Sequence, residues 1–157
     1  MTDDVWFLAT RVRFKLAAAD NAGRLSVIES DMPCGFSPPI HVHPRENETF
    51  CVLAGEVRFE VDGEETVARA GDVVHAPAGT VHSFIVTSPE GGRFLTITDG
   101  GFEAMVREMA RPAEGGGLPP FVPPTPAQAE ALAAACLRNG IELLGPPLAL
   151  SPLAYAA

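Results

Sequence analysis

Between Arg11 and about Thr98 the chain runs in short apolar and polar alternations, each bounded by Gly, Pro, Asp or Asn. RVRFKL (11–16) puts a charge at every second position, as a strand with one buried face requires. LSVIES (25–30) follows the polar link DNAGR, and ETFCVLAG (48–55), EVRFEVDGEETVARAG (56–71), DVVHAPAG (72–79), HSFIVTSPEGG (82–92) and RFLTITDGG (93–101) continue the series. Asp62-Gly63 is the strongest hairpin signal, because a type I′ turn needs positive φ at both central residues. Many short strands at near-regular spacing predict a mainly β protein, a sandwich or barrel.

The pattern changes after Gly101. FEAMVREMA (102–110) has helical spacing, with Phe102, Met105, Val106 and Met109 in one apolar stripe. RPAEGGGLPPFVPP (111–124) holds five prolines and three glycines and predicts a linker without regular structure. In TPAQAEALAAACLRNG (125–140), Thr125 suits an N-cap, Pro126 the first helical position, Gln128 a capping box and Gly140 the C-terminal stop. The expected organisation is one domain, 1–157: a barrel core of about 10–100 and a C-terminal helical extension of about 101–157. Its helices, 102–110 and 126–139, are expected to pack outside the barrel. The tail, IELLGPPLALSPLAYAA, carries no charge beyond Glu142 and is expected to pack on the barrel or on a neighbouring subunit. A homodimer would cover it together with the outward strand faces.

Composition narrows the function. The chain has 157 residues, 46% hydrophobic and 20% charged, which is globular rather than disordered. A net charge of -9 with 11 Lys and Arg argues against a nucleic-acid surface. No apolar run is long enough to span a membrane, and MTDDVWFLATRVRF opens with acids rather than the basic start of a signal peptide. Three widely spaced cysteines, Cys34, Cys51 and Cys136, make no disulfide framework and no CxxC pair. A soluble cytoplasmic protein is the expectation, with no nucleic-acid or membrane partner.

The candidate chemistry lies in HVHPRENE (41–48). His41 and His43 are two apart on an expected strand, so both imidazoles project to one face. Pro44-Arg45-Glu46-Asn47 can turn the chain and deliver Glu48 to the start of the next strand, and His82 opens another strand after APAGTV. Any one of these histidines taken alone reads as surface. Three of the chain's four histidines beside one acid, with turn glycines around each segment, outweigh that reading. Three imidazoles and a carboxylate suit Fe, Mn, Co, Ni, Cu or Zn, and do not suit Ca or Mg, which want oxygen shells.

GFSPPIHVHPRENETFCVLAG (35–55) resembles the first motif of the cupin superfamily: glycine, H-x-H, a glutamate after four residues, and a closing glycine. GDVVHAPAGTVHSFIV (71–86) resembles the second, through Gly71, Pro77, Gly79 and His82, with Val86 where the family often has Asn. The resemblance covers about residues 25 to 100 and implies a jelly-roll β-barrel holding one divalent metal on His41, His43, Glu48 and His82. More loosely, the chain looks like small quercetin dioxygenase-like single-domain cupins. It implies a metal-dependent dioxygenase acting on an enol- or phenol-type small molecule, flavonol-, diketone- or polyketide-like, with O2 as a partner. A redox-neutral polyketide cyclase or isomerase and a non-catalytic small-ligand binder are the alternatives. Glu48 is the expected catalytic base as well as a ligand. Phe50, Phe59, Phe84 and Val86 are expected to form an apolar wall that favours an apolar or aromatic substrate. His75 and Arg45 read better as a strand histidine and an exposed turn arginine than as site residues. Cys51 faces away from Glu48 by parity.

Overall fold

A computed structural model describes residues 4–151, so the acidic start of the chain and the last six tail residues lie outside it in part or whole. The strands are β1 (Val5–Phe7), β2 (Thr10–Leu16), β3 (Ser26–Met32), β4 (Pro39–Val42), β5 (Glu48–Ala54) and β6 (Glu56–Val61). They continue with β7 (Glu64–Arg69), β8 (Val73–Ala76), β9 (Val81–Val86), β10 (Gly92–Thr98), β11 (Arg111–Pro112) and β12 (Glu142–Pro147). Two helices, α1 (Phe102–Met109) and α2 (Pro126–Arg138), follow β10 and precede β12.

The strands form two antiparallel sheets, ordered β11-β1-β2-β3-β10-β5-β8 and β12-β4-β9-β6-β7. Among the described residues no ladder joins one sheet to the other, so the jelly roll expected from the sequence is built as two facing sheets. Alternation decides what faces inward. β3 buries every second residue from Ser26 to Met32, and β5 does the same at Glu48, Phe50 and Val52. The Asp62-Gly63 hairpin joins β6 to β7, with φ of 53° and 80° as a type I′ turn requires.

The core between the sheets is aromatic. Phe50 packs on Phe59 at 5.0 Å between ring centroids, and Phe84 meets Phe94 edge-on at 4.9 Å. A second cluster joins Met105 and Val106 of α1 and Ala135 and Cys136 of α2 to Val12 and Ile28 of β2 and β3. Ile28 shares a strand face with Met32, which belongs to the core between the sheets. The helices therefore pack on inward-facing residues of β2 and β3.

α2 starts as the sequence predicts: Gln128 N–H donates to Thr125 Oγ1 at 3.2 Å, and Thr125 N–H to Gln128 Oε1 at 2.9 Å. It stops at Gly140, whose φ of 76° no other residue type adopts as readily. The linker opens with the two-residue strand β11 against β1, and the tail adds β12 to the edge of β4.

Candidate metal centre

β4 and β9 pair so that His41 stands directly opposite His82. His43 lies one residue past β4 on the same side, and Glu48 begins β5 in the facing sheet. The structure brings all four together: one ligand atom from each of His41, His43, Glu48 and His82 lies within 4.8 Å of the others. His41 and His82 rings are 4.5 Å apart by centroid, and all four side chains are buried.

Each imidazole is oriented from behind. His41 Nδ1–H donates to the Pro39 carbonyl at 2.6 Å, His43 Nδ1–H to Glu46 Oε1 at 2.6 Å, and His82 Nδ1–H to the Thr80 carbonyl at 2.9 Å. These acceptors assign the tautomer, since a carbonyl cannot donate, and they leave the Nε2 lone pairs directed at the centre. There, Glu48 Oε2 lies 2.8 Å from His82 Nε2 and 3.2 Å from His43 Nε2. His43 Nε2 is buried without a hydrogen-bond partner. A proton or a metal cation would satisfy nitrogens and a carboxylate converging in this way, and the donor set could hold a divalent transition metal.

Glu48 and His41 agree with that reading, while His43 without an ion is drawn towards its protonated form. Burial alone would raise the Glu48 carboxyl, but the imidazoles of His43 and His82 outweigh it and hold it at about 2. Burial pushes His41 down to about 4, against the pull of Glu48, so it stays neutral as a ligand must. Burial also works against a charge on His43, but Glu48 and then Glu46 more than compensate and raise it.

A cavity of about 70 Å³ adjoins the centre and is lined by His41, His43, Glu48, Phe50, Phe84 and Phe94, among others. Met105 of α1 and Leu132 and Cys136 of α2 complete the wall. Phe59 and Val86, expected on this wall, do not line it: both are buried in the core between the sheets, Phe59 against Phe50 at 5.0 Å between ring centroids. His75 sits exposed on the outer face of β8, bonded through Nδ1 to Thr49 Oγ1 at 2.8 Å, and Arg45 is exposed in its turn.

Sequence reasoning missed Glu46. Its carboxylate is buried, accepts from His43, and also accepts the Phe102 backbone N–H at the start of α1 at 3.0 Å. A Cβ on Gly100 would come within 2.9 Å of the Glu46 side chain, so glycine there permits the approach. The Gly100-Gly101 pair was the available signal, a place where backbone passes close to something.

A model of the cupin domain matches residues 28–98, which include all four clustered residues. Residues 28–98 thus carry a cupin domain. This cupin is 33% identical over 107 residues to quercetin 2,3-dioxygenase of Bacillus subtilis, an alignment covering 68% of the chain and 32% of that enzyme. It thus spans about a third of that relative's length. Among solved structures it is similar to a predicted oxalate decarboxylase from Thermotoga maritima, with 25% identity and a TM-score of 0.55 over 57% of this chain and 79% of that one. The polyketide cyclase of Streptomyces resistomycificus shares the fold, at 24% identity and a TM-score of 0.51 over 57% of this cupin and 64% of the cyclase.

Proposed function

We propose that this cupin is a metal-dependent dioxygenase for a small enol- or phenol-type substrate, and that His41, His43, Glu48 and His82 are its metal ligands. The observation that carries the reading is the convergence of three lone-pair nitrogens and one carboxylate beside an apolar cavity. The likeness to a quercetin dioxygenase supports the choice of O2 chemistry. A bound Fe, Mn, Co, Ni, Cu or Zn ion would supply Lewis acidity and, for the redox-active metals, reactivity with O2.

The chain's own residues do the rest. Phe50, Phe84 and Phe94 exclude water and receive the apolar body of the substrate. Glu48 Oε2 is the oxygen that takes the substrate's hydroxyl proton. With its carboxyl held at about 2, Glu48 is ionised at neutral pH but a weak base, so it suits an acidic hydroxyl such as an enol or phenol and not an alcohol. Screening such substrates for oxygen uptake tests the reading. Turnover that persists without O2 would assign a redox-neutral isomerase or cyclase instead, and no turnover with tight binding would assign a binder.

Two variants separate Glu48's roles. Glu48→Gln is expected to retain much of the metal on three imidazoles and to lose at least ~10²-fold in turnover. His41→Ala or His82→Ala is expected to lose the metal itself, by elemental analysis. Near-wild-type turnover in Glu48→Gln would remove the base. The proposed assembly is a homodimer: among the described residues Val73, Val122, Leu137 and Leu144 leave more than half their surface open. A monomer in sedimentation at micromolar concentration would contradict it.

A further inference from the structure

We infer that Ser30 and Thr96 form a second recognition point, which binds a neutral second oxygen of the substrate and so selects a dioxygenated monoanion. This rests on the enol or phenol reading above and adds what the other end of the molecule must carry. On the inner face of the larger sheet Glu48 stands opposite Thr98, and Thr96 is the next inward residue along β10. Thr96 stands opposite Ile28, and Ser30 is the next inward residue along β3. Glu48, Thr96 and Ser30 therefore form a diagonal row, each one strand over from the last, at steps of roughly 7–8 Å between backbones.

All three line the cavity, and the two hydroxyl residues are more than nine-tenths buried, Ser30 at 9% and Thr96 at 2% exposure. Among the described residues neither hydroxyl makes a hydrogen bond. Their neighbours on the same face do: Ser26 Oγ and Thr98 Oγ1 bond each other at 2.9 Å, and Thr10 Oγ1 donates to the Phe7 carbonyl at 2.7 Å. Both hydroxyls sit on the cavity wall without a protein partner, where an aliphatic residue would have kept the strand pairing with Phe50 and Phe94. Facing a ligand they are useful, because each can donate to a carbonyl or ether oxygen or accept from a hydroxyl. No Lys or Arg lines the cavity, so a second carboxylate would be buried there without a counter-charge. The row thus discriminates against dicarboxylates and for a neutral oxygen about one ring away from the ionised one.

Zinc-loaded protein, in which no redox turnover competes, provides the test by calorimetric titration with phenol and with resorcinol. Resorcinol is expected to bind about fivefold or more tightly than phenol, the scale of one added neutral hydrogen bond. In Ser30→Ala/Thr96→Val that ratio should fall to about one, with phenol affinity within about twofold of wild type. Ser30→Ala alone, with Thr96 kept, should retain part of the preference and guards against a folding defect in the pair. An unchanged ratio in the double variant overturns the inference while leaving the phenol reading intact. Failure of phenol itself to bind the zinc-loaded wild type sinks that reading, and this inference with it.

Discussion

Glu46 joins the proposed centre to the helical end of the molecule, taking the His43 Nδ1–H on one side and the Phe102 N–H on the other. An acceptor behind a ligating imidazole fixes its tautomer and makes it a better donor, and loss of such a partner typically weakens metal binding by about 10–100-fold. Glu46→Ala is therefore expected to lower metal affinity by about that factor with stoichiometry kept at one, measured by chelator competition. Glu46→Gln should fall between, since its one amide oxygen can serve His43 or Phe102 but hardly both. Unchanged affinity in Glu46→Ala would mean that the backbone alone orients His43. His41, His43 and Glu48 were legible in the sequence because strand parity and short spacing act locally, whereas His82, 34 positions from Glu48, was reached through the resemblance of residues 71–86 to the second cupin motif. Glu46 was not legible, because its second partner is 56 positions away and only the folded chain brings them together.

Elements with clear periodicity, such as β2, β5 and α1, were readable for the same local reason, and α2 through the capping residues at its ends. β1 is three residues long, too short for alternation to show, and β12 reads ELLGPP, whose glycine and prolines argue against a strand. It survives as an edge strand, where a missing N–H can face away from the ladder. The docking of α1 and α2 on β2 and β3 was not legible, because amphipathic spacing shows that a helix has a buried face but not which surface covers it. At this scale Gly101 is decisive: a Cβ there would lie 2.0 Å from the Asn139 carbonyl oxygen, at the junction of α1 with the end of α2. Gly101→Ala must push the two helices apart. The expected result is a loss of roughly 1–3 kcal/mol in denaturant unfolding, the usual scale of overpacking, with the metal site still able to fill. Wild-type stability in this variant would show that the helical end yields without strain.

For the molecule as a whole, burying three imidazoles and a carboxylate together makes stability depend on pH with a sign that can be worked out. His41 has an ordinary value of 6.5 and is held at about 4 in the fold. Between those values the unfolded chain carries a proton at His41 that the native one does not, so acidification through this window favours unfolding. Glu48, with an ordinary value of 4.5 and about 2 in the fold, extends the loss: its contribution is complete above 4.5 and disappears as pH falls through about 2. His43 has the opposite slope, because its value is raised: its contribution is complete below 6.5 and is lost as pH rises through the folded value. Chelator-treated protein should accordingly show its highest Tm close to neutral pH, with the steeper fall on the acid side. Replacing His41 with Asn, which cannot titrate, should flatten the limb between about 6.5 and 4 and leave the lower one in place. Added metal should raise Tm most at neutral pH and progressively less on acidification, since protons compete for the same nitrogens. A metal-free Tm that climbs as pH drops from 6.5 to 4 would contradict the burial of a neutral His41 at the centre.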